Sequence, residues 1–149
     1  MIQYPDISGV LDDDRLAYRY VPVSQLHDEW PRLRHGLEVI KESNGEPWLP
    51  EDIYAALLYG RAALYIGEDS ETKELEGFAI VEVMNFPYDF KQRLNLWIGY
   101  SVHPKQGHLG AEVVKRVARA MGIDSIVFST TQESPWTANY KKLHTWYEV

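Results

Sequence analysis

Cysteine is absent from the 149 residues. Disulfides, thiolate nucleophiles and cysteine-ligated zinc are therefore excluded, and a reducing setting is permitted without being required. Histidine is sparse: His27, His35, His103, His108 and His144 are scattered, and no two stand at the i, i+4 spacing that puts paired imidazoles on one helix face, so no metal is expected. Basic residues are the minority among the charges. Fifteen Lys and Arg against 22 Asp and Glu leave a formal net charge of −7, the wrong sign for a general phosphate-backbone binder, which argues against nucleic acid as the partner. Long apolar runs are missing too. No stretch reaches the roughly 18 residues of a membrane span, and "MIQYPDISGVLDDDR" lacks the basic and apolar regions of a signal peptide. The expectation is a soluble, cytoplasmic protein without membrane contact.

What is present suffices for one core: 45% of residues are hydrophobic, enough for a single domain of this length. Residues 1–14 mix Pro and Gly with the self-repelling run Asp12, Asp13, Asp14, and are expected to form an irregular acidic leader to one domain spanning 15–149. "RLAYRYV" alternates as a first strand, with Leu16, Tyr18 and Tyr20 on one face. Leu26, Trp30, Leu33, Leu37 and Ile40 then mark one stripe of a helix from about Ser24, its expected N-cap, to Lys41. Pro31 is expected to shift its start or bend it, and "SNGEP" to close it. "PEDIYAALLYG" predicts a second helix, with Pro50 in its first turn and Gly60 at its stop. Strands are predicted at 62–68, 75–86 and 93–102 as an antiparallel meander. A helix follows over 109–121, carrying Leu109, Val113, Val117 and Met121 and ending at Gly122, and then a strand at 125–130. That strand–helix–strand spacing is the size of a parallel crossover. "PWTANYKKLH" and "TWYEV" read as a last helix and a last strand.

This order resembles the GNAT N-acetyltransferase family over about residues 15–149. "YSVHPKQGHLGAEVVKRVARAMG" resembles its motif A, a strand ending in Val-x-Pro, then Arg/Gln-x-x-Gly-x-Gly/Ala and a helix. Val102, Pro104, Gln106 and Ala111 match it, while Leu109 stands where the family has its first glycine. "ANYKKLHTWYEV" resembles motif B through Ala138, Tyr140, Lys142 and Leu143, with one intervening position absent and His144 and Thr145 in place of Gly-Phe. "PWLPEDIYAALLYGRAALYIGE", "NLWIGYSV" and "FSTTQESPW" look like small GNAT-like proteins of tailed phages. The resemblance implies an α/β fold: a central mixed, mostly antiparallel sheet of six to seven strands with helices on both faces.

It also implies acetyl-CoA as cofactor and an amine acceptor. Gln106, Gly107, His108, Leu109, Gly110 and Ala111 would hold the pyrophosphate on backbone amides at a helix N-terminus, with Lys105, His108 and Lys115 or Arg116 adding positive charge. Tyr100, Ser101 and Val102 would pair with the pantetheine arm. Asn139 would contact the cofactor, and Tyr140 would protonate the departing thiolate. A Cβ-bearing Leu109 is expected to obstruct the grip on phosphate. From the residues alone, Glu82 is the candidate base, because it interrupts "FAIVEVM" on the face of Phe78, Ile80 and Met84, where burial raises a carboxyl pKa. Its alternative is a solvent-edge or ion-paired glutamate, and a relay through Tyr100 and His103 is a further route. Tyr140 equally fits core packing. Trp136 fits either a partner contact or a helix staple. Two functions stay open: an acetyl-CoA-dependent N-acetyltransferase, or a catalytically inactive scaffold serving as a phage virion protein or a host-protein-binding module, in host cytoplasm or virion. The acceptor and the oligomeric state are not readable.

Overall fold

The computed structural model describes residues 2–85, 91–102 and 109–128. Its elements run β1 (Ser8–Leu11), β2 (Leu16–Val21), α1 (Val23–Asn44), α2 (Pro50–Leu58), β3 (Ala63–Asp69), β4 (Leu75–Asn85), β5 (Gln92–Ser101), α3 (Leu109–Met121) and β6 (Ile126–Phe128). The six strands form one sheet in chain order. Every pairing is antiparallel except β5 with β6, which are parallel from Leu94↔Ile126 to Leu96↔Phe128. The meander and the crossover are thus as the apolar patterning predicts.

Side-chain alternation sorts the core into two layers. Leu16, Tyr18, Tyr65, Ala79 and Leu94 face α3, which contributes Leu109, Val113, Val114 and Val117. Val21, Leu64, Ile66, Phe78, Ile80 and Ile98 face α1 and α2, which contribute Leu26, Leu33, Leu37, Ile53 and Leu57. The α1 stripe lies as predicted, but its start does not. Pro22, with φ fixed at −68°, takes the N-cap position without a side-chain hydrogen bond, and its carbonyl accepts the Gln25 N–H at 2.9 Å. Ser24 is therefore already inside the helix. Pro31 is also interior, its missing N–H absorbed within one long helix. Gly45 ends α1 at φ 65°, a left-handed position that suits glycine.

The leader differs from expectation. Ser8–Leu11 pair with β2, from Ser8↔Arg19 to Leu11↔Leu16, and the three aspartates turn the chain at φ 51°, 53° and 67°, angles that Asp tolerates better than most residues. Tyr4 is buried. Its hydroxyl donates to the Arg61 carbonyl and accepts the Val83 N–H, each at 3.1 Å, while Tyr65 donates to the Pro5 carbonyl at 2.7 Å. Contacts 57 to 79 residues distant in sequence order a segment whose own pattern is featureless.

Candidate functional site

The site candidates converge on β5 and the helix start that follows it. Ile80 faces Ile98 and Val81 faces Leu96, so Trp97 is an extra residue in β5, a bulge. The bulge breaks the alternation: Trp97 and Ile98 both pack on the α1/α2 layer, as does Tyr100 farther along. Among the described residues Leu96↔Phe128 is also the last β5–β6 pair.

Backbone direction differs along this end of β5. The Val102 N–H donates to the Glu76 carbonyl at 2.8 Å, so it is committed to β4 and does not offer itself to an arm on the other side. Alternation along an antiparallel ladder turns Tyr100 the same way and directs Gly99 and Ser101 to the opposite edge. Gly99 is exposed in mid-strand, and sequence reasoning passed over it. The Tyr100 ring packs at 5.2 Å from Phe78, under Gly36 of α1, where a Cβ would come within 2.8 Å of Phe78 and 3.0 Å of Tyr100.

Leu109 faces the interior. It is the first residue of α3 and is 5% exposed. Its side chain points down onto Gly67 and Gly77, which face each other across β3 and β4, and a Cβ built on them would lie 2.9 Å and 2.6 Å from Leu109 Cδ2. The leucine therefore fills the interior and does not obstruct the outer end of the helix. Gly110 sits over Gly99, 3.8 Å from its Cα by the same measure, and Ala111 is buried. The signal for this arrangement, two glycines in neighbouring predicted strands, was present in the sequence, but their pairing was not.

The charges of α3 go elsewhere. Arg116 Nη1 donates to the Tyr18 hydroxyl at 3.2 Å, and the guanidinium lies 5.3 Å from that ring's centroid. Lys115 pairs with Glu112 at 3.4 Å. Lys105 and His108, the other charges expected near the helix start, lie outside the described residues.

Glu82 lies where the pattern put it, on the α1/α2 face of β4 with Phe78 and Ile80. It is half-buried and cross-strand from Asn95, whose Nδ2 donates to its Oε1 at 3.1 Å. Asn95 is 7% exposed. It was legible by the same logic as Glu82, a polar residue inside "RLNLWIGY". The carboxylate is also felt by Tyr4: burial raises that phenol's pKa, the bond from Val83 lowers it, and the charge of Glu82 adds to the rise. His103, Lys105, Gln106, Gly107, His108, Trp136, Asn139 and Tyr140 lie outside the described residues, as do the last predicted helix and strand. Among the described residues no group of three or more acidic or imidazole side chains is arranged for a metal, and no helix is long and apolar enough to cross a membrane.

No family model and no curated protein matches the chain in sequence. Solved structures do match in shape. A Pyrococcus furiosus protein provisionally named an acetyl transferase superposes with a TM-score of 0.64 at 18% identity, over 89% of this chain and 98% of its own. A predicted acetyltransferase with acetyl-CoA from Clostridium acetobutylicum gives 0.62 at 16%, over 90% and 95%. The aminoglycoside acetyltransferase meta-AAC0020 from an uncultured soil metagenomic sample, in complex with sisomicin, gives 0.63 at 10%, over 92% and 98%. Identities this low speak to the backbone alone, and the backbone has the α/β fold of the GNAT acetyltransferases.

Proposed function

We propose that the chain is an acetyltransferase that uses acetyl-CoA to acetylate an amine. The observation that carries this reading is the course of β5, which bulges at Trp97 and leads past Gly99 to the N-terminus of α3. A strand that leads straight to a helix start able to hold a phosphate fits a long ligand with an anionic end. The inward seat of Leu109 removes the objection that its side chain screens the helix amides.

When bound, acetyl-CoA supplies an acetyl group activated as a thioester. The chain's own residues would then divide the work. The backbone of Gln106, Gly107, His108, Leu109, Gly110 and Ala111 would hold the pyrophosphate, and the end of β5 from Gly99 to Val102 would lie along the arm. Glu82, oriented by the amide of Asn95, accepts a proton from the acceptor amine, and Tyr140 gives one to the departing sulfur. From Asn95 to Gly99 is about 13 Å along β5 at 3.3 Å per residue, so an arm laid along this strand extends toward the carboxylate.

Titration calorimetry with acetyl-CoA and CoA tests the reading, beside a Gly107→Glu variant that places a negative charge in the loop. Micromolar binding, abolished in the variant, is expected. No binding at millimolar ligand overturns the proposal and turns the search to protein partners.

A further inference from the structure

We infer that Leu109 is a positioning residue, whose isobutyl group, seated on the facing glycines Gly67 and Gly77, sets where the first-turn N–H groups of α3 stand over β5. The inference rests on the acetyl-CoA reading, in which those N–H groups hold the pyrophosphate. Its basis is steric. A Cβ on Gly67 would lie 2.9 Å from Leu109 Cδ2 and 3.1 Å from Cδ1, and one on Gly77 would lie 2.6 Å from Cδ2 and closer still to the Tyr100 carbonyl oxygen, so Gly77 is bare for the β4–β5 ladder as well as for the leucine. Ordinary carbon–carbon contact is 3.5–4.0 Å, so the leucine reaches this depth only because both strands present bare backbone at the same level of the sheet.

One residue on, Gly110 lies above β5 with room to spare: a Cβ there would meet only ordinary contacts, Leu96 Cδ2 at 3.4 Å and Gly99 Cα at 3.8 Å. The helix start is thereby seated on the β3–β4 pair through its first residue. Displacement there moves the N-terminal donors directly. Val117, equally buried, is eight residues farther along, about 12 Å at 1.5 Å per residue, and is remote from them. The departure that makes motif A look damaged at Leu109 is on this view matched by the two glycines beneath it.

The experiment measures CoA affinity by calorimetry, and thermal unfolding, for the unsubstituted protein, Leu109→Ala, Gly67→Ala, the double variant and Val117→Ala, each titrated well below its unfolding temperature. Leu109→Ala and Gly67→Ala are each expected to weaken CoA binding about tenfold, the scale of one charge-assisted hydrogen bond. The double variant should recover part of that loss, because the new methyl occupies space the leucine vacates. Val117→Ala should lower the unfolding temperature at least as far while leaving CoA affinity unchanged.

Wild-type affinity in Leu109→Ala, equal weakening by Val117→Ala, or strictly additive losses in the double variant would each overturn the positioning role and leave Leu109 as a core residue. Should Leu109→Ala not fold, Leu109→Val carries the same comparison with a smaller change. If the unsubstituted protein fails to bind CoA, the acetyl-CoA reading falls and the positioning role with it. That result is distinct from one in which the parent binds and the variants bind equally well.

Discussion

Replacing Glu29 with glutamine should unlock α1 from the sheet and do so only above acidic pH. Glu29 joins Arg19, Arg32 and Glu68 in a four-member network across β2, α1 and β3. Its carboxylate accepts from Arg19 Nη2 at 2.8 Å, from Arg32 Nε at 2.8 Å and from Arg32 Nη2 at 2.6 Å, and its side chain is only 16% exposed. Glu68 accepts from Arg19 Nε at 3.2 Å and Arg32 Nη2 at 2.7 Å, while Arg19 Nη1 and Arg32 Nη1 donate to Gln25 Oε1 and the Lys73 carbonyl. With the arginines a third exposed, each of the three bonds at Glu29 is worth somewhat under 1 kcal/mol, so Glu29→Gln should cost about 2 kcal/mol at pH 7. For a chain of this size that is about 6 °C in Tm. Burial pushes the Glu29 carboxyl up, but hydrogen bonds from Arg19 and Arg32 outweigh it and hold the carboxyl below its usual value. A group depressed in the folded state contributes stability above its unfolded pKa, about 4.3, and loses it as pH falls through the folded value. Urea unfolding of both proteins from pH 7 to pH 3 should therefore show a gap that closes in acid. A gap of constant size, or none at pH 7, would refute the reasoning.

Three further outcomes are expected. Tyr4→Phe removes the donor to the Arg61 carbonyl and leaves the Val83 N–H without its acceptor, and should cost about 1–3 kcal/mol in urea unfolding; an unchanged midpoint would mean that this hydroxyl does not anchor the leader. Asp13→Gly relieves a left-handed residue at φ 53° flanked by two more and should stabilise by about 1 kcal/mol, which a lowered Tm would contradict. Tyr140→Phe should slow turnover by at least about 100-fold with CoA affinity barely changed, and equal turnover would remove Tyr140 from the proposed chemistry.

The legible part of the candidate site was its chemistry. Glu82 stood out as a charge in an apolar strand, and the turn before α3 as a glycine-bearing passage from strand to helix. Directions were not legible, because they depend on partners in other strands. Only pairing with Glu76 turns the Val102 N–H toward β4, and only the hydroxyl and ring of Tyr18 draw Arg116 away from the helix start.

The same division runs through the fold. Period and local stereochemistry determined the α1 stripe, the stop at Gly45, the opening of α2 at Pro50 and the strand segments themselves, since each follows from neighbours within a turn or two of the chain. Tertiary structure decided the rest. Residues 8–11 became a strand because β2 offered an edge, and Trp97 bulged because Ile98 and Leu96 each found a partner in β4. Leu109 turned inward because two glycines distant in sequence met beneath it. Local propensity selects what an element is, whereas contacts between residues far apart in sequence decide register and which way a side chain or an amide finally points.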